Sequence, residues 1–518
     1  MTDTVPARTS APPPPPDDAE LDPRFANDDL RPVPLEQRTW TTYNFAALWV
    51  GMAINVPTWT LAAGLITLGM DWVQAVLTIA IANVIVLAPM VLTGHAGPKY
   101  GIPFPVLARA SFGVLGANLP ALVRGLAACV WFGIQTWVGG QSIFFLAGRL
   151  FGADSWWAEA GEIGGYAWTL WLCFAAFFAL EIWIILRGMD TLRRFESWAA
   201  PVMLVGAGLL LLWIANEAGG FGPLLDQPSE LGWGADFWDV FFPSLMGMIG
   251  FWSTLSLNIP DFTRFGSGQR AQVWGQSLGL PTTMALFALL SVLVTSGSQA
   301  VYGEPIWDPA QLAARMDNEL GIVFALFVIL LATLTTNIAA NLVSPAYDLS
   351  NVAPRRVTFR TGALIAATIG VVIFPWKLYE DPDIYIFTWL GTVGGLLGAV
   401  SGILIADYWL LRGTRLHIAE LYRAEGRYWY DRGWNWRAVA AFLIGGFLAV
   451  GGSYSGPYPE DGLVPFLQPL ADYGWAVGLA AGFIVHALLM RLIPPAPPAP
   501  VTATATAPAS VPAETAAD

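Results

Sequence analysis

Four groups of polar and aromatic residues lie inside otherwise apolar stretches, and their types suit a flat polar ring and a hard cation. In Trp131-Phe132-Gly133-Ile134-Gln135-Thr136-Trp137, Trp131 and Gln135 are four apart and would share a helix face. An indole beside a primary amide suits a ring with urea-like N–H and C=O groups: the ring stacks while the amide reads its edge. An aromatic packing stripe is the alternative, and with 25 tryptophans in the chain chance pairings are expected. Trp252 follows Gly247 by five residues and would offer a second stacking face if that helix breaks, or would pack a core. Asn55 stands two residues before Pro57, which removes a backbone donor and disrupts a helix. Carbonyls freed between Gly51 and Ile54 could coordinate a cation and Asn55 could bond a solute; the alternative is a simple kink with Asn55 bonded to a neighbouring helix. Thr335, Thr336, Asn337 and Asn341 fall within seven residues of one run. Hydroxyl and carbonyl oxygens suit a hard cation, although threonines also bond their own helix backbone.

Other chemistry is weakly supported. His95, His417 and His486 are far apart and offer no metal spacing. The chain shows neither a phosphate-cradling loop for an ATP-driven motor nor a selectivity-filter repeat. No basic stripe with interleaved aromatics suggests a nucleic-acid partner, and the net charge is −13. Cys129 and Cys173 both lie in apolar runs, which excludes a disulfide scaffold. No signal peptide is expected, because the first spanning helix would itself direct insertion. Glu181 is expected as a helix-end residue paired with Arg187 or a polar neighbour rather than as a proton-linked carboxylate. Asp261 and Asp407 are expected as partners of Arg264 and Arg412.

The elements that must position these residues are membrane helices. Of 518 residues, 55% are hydrophobic and 12% charged, whereas a soluble domain carries about 25% charged residues. A large apolar soluble enzyme is disfavoured because the apolar residues form long uncharged runs. A bilayer core needs roughly 20 such residues per helix. Twelve runs fit, near 44–68, 73–93, 117–147, 166–187, 198–216, 238–258, 275–297, 320–341, 359–375, 384–411, 436–452 and 472–491. Residues 1–38 and 494–518 are Pro-rich and poor in apolar residues, and are expected to be disordered tails around one membrane domain, 39–493. All lysines and arginines except Arg149, Arg315 and Lys377 fall on one side of this arrangement. The positive-inside rule then predicts a multi-pass protein of the plasma (inner) membrane with both termini cytoplasmic.

The first and sixth runs are both interrupted at mid-depth, by Gly51 to Pro57 and by Gly247 to Trp252. Paired broken helices in two inverted five-helix halves point to a transporter's solute and ion sites; close packing at glycine is the alternative.

Several stretches in order resemble the type-one nucleobase–cation symporter family, the permeases of cytosine, uracil, allantoin, thiamine and hydantoin. They are "NDDLRPVPLEQRTWTTYNFAALWVGMAIN" from Asn27, "GIPFPVLARASFG" from Gly101, "WFGIQTW" from Trp131, "TTNIAANLVSPAYDLSN" from Thr335 and "GILIADYWLLR" from Gly402. The resemblance spans about Asn27 to Arg491. It implies an all-α, leucine-transporter-like fold: inverted five-helix repeats near 40–217 and 236–412, plus two extra helices near 435–492. It further implies alternating access with cation coupling. By motif match, two tryptophans sandwiching the substrate fall on Trp131 and Trp252, the amides on Gln135 and Asn341, and the polar first-helix position on Asn55. A sodium site would use carbonyls of Gly51, Ile54 and Ala332 with hydroxyls of Thr335 and Thr336, and a gate leucine falls on Leu390.

Family members that carry hydantoins have Gln at Asn55, Gly at Phe251 and Ser at Thr335. The Phe251 ring should narrow the pocket and favour a compact ring such as uracil or allantoin. The expectation is therefore a symporter importing a nucleobase-like heterocycle, with no cofactor beyond a coupling Na⁺ or H⁺. The alternatives are proton coupling or another solute class, such as cytosine, thiamine or an amino acid, on the same fold. A membrane-embedded enzyme would need a nucleophile or metal cluster at membrane depth, and the sequence offers none. Nothing in it sets an oligomeric state.

Overall fold

A computed structural model describes residues 21–496, apart from 152–155, 158–160, 227, 305, 307–308, 317, 375, 380–388 and 455–457. Among the described residues, twelve apolar helical segments follow one another. They are α1 (Thr42–Ala53 and Val56–Thr67), α2 (Trp72–Gly94), α3 (Asn118–Phe151), α4 (Trp168–Ile185), α5 (Met189–Glu217) and α6 (Ala235–Phe251 and Ser253–Asn258). Then come α7 (Gln269–Tyr302), α8 (Glu319–Val352), α9 (Phe359–Val372), α10 (Gly391–Leu411), α11 (Trp436–Val450) and α12 (Gly474–Leu492). A two-stranded hairpin, Glu162–Ile163 with Tyr166–Ala167, separates α3 from α4.

The helices are buried to different degrees, as a bundle in lipid requires. Large apolar side chains such as Leu77, Val84, Val205, Leu212, Leu443, Phe447 and Leu488 are exposed along α2, α5, α11 and α12. Water would penalise that surface and hydrocarbon does not. In contrast α3 and α8 are mostly enclosed. The last two helices pack on α10 through small residues: Cβ atoms at Gly402 and Gly478 would strike the backbones of Leu479 and Gly395.

Three spans are irregular where the polar groups lie. α1 turns by 60° between its halves. Asn55 is extended there (φ −152°, ψ 164°) and caps the second half, its side chain accepting from Thr58 N at 2.8 Å while Pro57 sits in the first turn. α6 is interrupted at Trp252 (φ −97°, ψ 3°). α8 loosens into a π-helical stretch at Asn337–Leu342, a feature frequent at functional sites.

Three differences from the sequence reading concern boundaries. Residues 21–38 are ordered: Leu21, Ala26 and Leu30 are buried with Tyr422 and Tyr428. Asn27 donates to Ser350 Oγ at 2.8 Å, Tyr422 donates to Leu30 O at 2.7 Å, and Asp29 accepts from Phe359 N at 2.7 Å. Tertiary contacts order a segment whose composition alone would not. α5 begins at Met189 rather than 198; its first turns carry Asp190, Arg193, Arg194 and Glu196, charges that conceal the start of the helix in the sequence. α8 continues past 341 to Val352. Residues 1–20 and 497–518 of the expected tails, and 384–388 of the tenth run, lie outside the described residues.

Candidate functional site

The break in α1, the break in α6, and the middles of α3 and α8 meet in the bundle interior. Trp131, Gln135, Phe251, Trp252 and Asn341 are all buried there. Phe251 stands edge-on to both indoles, with ring centroids 5.2 Å from Trp131 and 4.9 Å from Trp252 at interplanar angles of 84° and 86°. Trp252 also meets Trp49 edge-on at 5.3 Å. The two tryptophans therefore share Phe251 as a neighbour. Neither of two cavities in the bundle, of about 310 and about 50 Å³, is lined by these two indoles, and the Phe251 ring packs against both. Gln135 Oε1 and Trp252 Nε1 are buried without a hydrogen-bond partner. A buried orphan of this kind costs about 1–3 kcal/mol, and a solute N–H would relieve the one at Gln135.

Asn341 belongs to a chain of side chains running from α8 into α4. Its Nδ2 donates to Asn337 Oδ1 at 2.9 Å. Asn337 Nδ2 in turn lies 2.7 Å from Glu181 Oε1, 3.0 Å from Phe132 O and 3.1 Å from Thr136 Oγ1. Thr136 approaches Glu181 Oε2 at 2.9 Å. Glu181 thus pairs with polar neighbours, the second of the two partners expected, and not with Arg187, whose guanidinium covers the Trp183 ring. It lies wholly inside the bundle and fixes the donors that orient Asn341. Asn337, which the sequence reading left without a role, is the connecting residue.

Asn55 differs from expectation as well. Its amide donates to Met52 O at 2.6 Å and its oxygen caps Thr58. Both ends of the side chain shape the break, so its first effect is on the backbone rather than on a solute.

The threonines do face α1. Thr336 Oγ1 lies 3.0 Å from Gly51 O and 3.1 Å from Met52 O. Thr335 Oγ1 lies 2.9 Å from Ala332 O, on its own helix, and 3.2 Å from Gly51 O. Two hydroxyl and two carbonyl oxygens of the expected ion site are therefore gathered between α1 and α8. Ile54 and Ala332 also line a cavity of about 50 Å³ walled by α1, α5, α7 and α8. Packed beneath Gly51 from α5 is Glu196, which the sequence reading missed. A Cβ at Gly51 would collide with its Oε2 and stand 3.0 Å from its carboxyl carbon.

Leu390, the expected gate, is buried at the start of α10, and Gly250 of α6 lies so near that its Cβ would come 3.0 Å from the Leu390 carbonyl. Leu390 also borders a cavity of about 310 Å³ between α6, α10 and α12, with Asp239, Ser244 and Trp475 among its lining. Asp407 pairs with Arg412 at 2.6 Å as expected. Asp261 does not pair with Arg264; it accepts from Phe104 N at 2.8 Å, and Arg264 donates to Asp29 O at 2.9 Å.

Broken α1 and α6, two halves of five helices and two appended helices define a leucine-transporter-like membrane transporter. The chain superposes on Mhp1, a nucleobase-cation-symport-1 family transporter in a closed conformation with bromovinylhydantoin bound. The TM-score is 0.73 at 26% identity, over 90% of this chain and 96% of that one. Residues 32–478 match the family of permeases for cytosine/purines, uracil, thiamine and allantoin, and the chain belongs to that family. It is 41% identical to the allantoin permease of Bacillus subtilis (strain 168), over 91% of this chain and 94% of that protein. It is 42% identical to the purine-uracil permease NCS1 of Arabidopsis thaliana, over 83% of this chain and 72% of that protein. The protein is a multi-pass permease, not an enzyme.

Proposed function

We propose that this permease is a cation-coupled symporter importing a compact nucleobase or ureide, uracil or allantoin foremost, by alternating access. The carrying observation is the buried, orphaned Gln135 Oε1, one helical turn along α3 from Trp131. The ring stacks on Trp131 and Trp252, Gln135 accepts a ring N–H, and Asn341 donates to a ring carbonyl. Phe251 excludes bulky ring substituents. Allantoin and purine–uracil transport by the two relatives fits this size range.

A monovalent cation, Na⁺ or H⁺, acts at Gly51, Ile54, Ala332, Thr335 and Thr336. Because this site joins α1 to α8, its occupancy biases the equilibrium between outward-open and inward-open states. Leu390 closes the route past α6 and α10. The face bearing residues 21–38 and the basic loops is cytoplasmic by the positive-inside rule.

The test is uptake of labelled uracil into proteoliposomes, competed by allantoin, cytosine, hydantoin and thiamine, with and without a sodium gradient. Uracil and allantoin compete most strongly on this reading. Failure of both to compete, with strong competition by thiamine, refutes it.

A further inference from the structure

We propose that Arg124 is a positioning residue for solute binding: its guanidinium holds the Ala340 carbonyl in the π-helical stretch of α8 and thereby sets the direction of the Asn341 amide. The inference rests on reading Asn341 as a solute ligand, and Arg124 acts through that residue rather than on the solute itself.

By sequence Arg124 counts among the basic residues of the cytoplasmic side. The structure encloses it completely, at 0% exposed. It lies on α3 seven residues before Trp131 and eleven before Gln135, a spacing that puts all three on one helix face. At Arg124 that face meets α8. Nη2 donates to Ala340 O at 3.1 Å, and Nη1 donates to Asp348 Oδ2 at 3.4 Å. Asp348 is equally buried and stands on the regular helix Val343–Val352 that follows the π-helical stretch. A guanidinium inside a membrane bundle requires partners. Among the described residues, both of its hydrogen-bond partners are on α8.

The carbonyl that Arg124 holds is next to the solute site. A π-helical turn moves the backbone bonds from the fourth residue to the fifth, and backbone groups at membrane depth must be satisfied by protein. Arg124 brings a charged donor to that turn. The Ala340 carbonyl and the nitrogen and Cα of Asn341 form one planar peptide unit. Fixing the carbonyl therefore fixes the plane from which the Asn341 side chain projects. The tip of that side chain is held separately, by Asn337 Oδ1 at 2.9 Å. Asn341 is thus tied at its backbone to α3 and at its tip to the Asn337–Glu181 chain. With one N–H given to Asn337, the second is left for a ring carbonyl.

The planar fork of arginine serves two acceptors eight residues apart on α8. A lysine ammonium would keep a charge beside Asp348 but present no fixed second donor toward Ala340. The substitution therefore separates the brace between helices from the alignment of the amide.

The experiment measures counterflow of labelled uracil by the full-length protein in proteoliposomes, for wild type, Arg124→Lys, Asn341→Ala and the double variant. Arg124→Lys should raise the half-saturating uracil concentration about tenfold, the loss of one well-aligned hydrogen bond to the ring, and lower the maximal rate by less. On Asn341→Ala the same change should raise it by less than about twofold, because the amide it aligns is gone. An equal rise in both backgrounds overturns the proposal, since a merely structural brace acts alike in each. So does an unchanged half-saturating concentration in Arg124→Lys. Should Arg124→Lys not fold, Arg124→Gln combined with Asp348→Asn removes both buried charges together and is read in the same way. A further readout needs only the wild-type protein: in its structure with uracil bound, Arg124 Nη2 should remain within hydrogen-bond distance of Ala340 O while Asn341 touches the ring. A guanidinium turned away from Ala340 in that complex overturns the proposal. Wild-type uracil affinity in Asn341→Ala instead overturns the reading of Asn341 as a solute ligand.

Discussion

Replacing Phe251 with alanine should turn a transporter of small rings into one that accepts substituted ones. The Phe251 ring is almost wholly buried and meets Trp131 and Trp252 edge-on, at 5.2 and 4.9 Å. Each such contact contributes about 0.5–1.5 kcal/mol, and truncation of a packed phenylalanine costs about 3–5 kcal/mol in stability. The space released is phenyl-sized and lies where a ring substituent would project from a solute stacked on Trp131. Burying an aromatic substituent there stabilises the complex by about 1.5–3 kcal/mol, which is roughly a 10- to 150-fold gain in affinity. The assay is inhibition of uracil counterflow by hydantoin and by 5-benzylhydantoin in wild type and F251A. The benzyl compound should gain by that factor over hydantoin in the variant, while detergent-solubilised F251A melts at a lower temperature. An unchanged ratio in an F251A protein that still exchanges uracil would refute the assignment of Phe251 to the wall of the solute site.

Other substitutions test neighbouring parts. W131A should weaken uracil binding by about 1–3 kcal/mol, the scale of base stacking on an aromatic ring, measured by competition under counterflow. T335V with T336V removes both hydroxyls at nearly constant shape and should abolish gradient-driven accumulation while leaving counterflow measurable. E181Q keeps one acceptor oxygen and sets an amide N–H against the other donor, Asn337 or Thr136, so stability should fall by about 1–3 kcal/mol and uracil affinity should fall with it. D29A loses the acceptor at Phe359 N and should cost about 1 kcal/mol, read from melting in detergent.

Much of this architecture was legible because lipid imposes simple rules. Long uncharged runs, basic residues on one side and Pro57 inside the first run marked the spans and the first break. The threonine pair of α8 was legible as oxygen chemistry, and its approach to Gly51 follows from the broken helix it faces. Asn55 was ambiguous because an amide before a proline serves equally as a helix cap and as a solute ligand, and local sequence does not separate them. Glu196 was missed for the opposite reason. With Asp190, Arg193 and Arg194 it made the start of α5 resemble a loop, so a buried carboxylate was counted outside the fifth membrane span. The helical spacing of Leu192, Glu196, Ala199, Ala200 and Met203 was the available signal, since these share one buried face. The order of residues 21–38 depends on contacts with α8, α9 and the Tyr422–Tyr428 segment, which are hundreds of residues away in sequence.

Anomalous scattering from bound 5-bromouracil locates the solute independently of any transport assay. The bromine peak should fall beside Trp131 and Trp252 in the wild-type protein, within contact of Phe251, and should vanish in W131A. A peak instead in the cavity between α6, α10 and α12, beside Asp239 and Trp475, would contradict the placement of the solute on which the proposed mechanism depends.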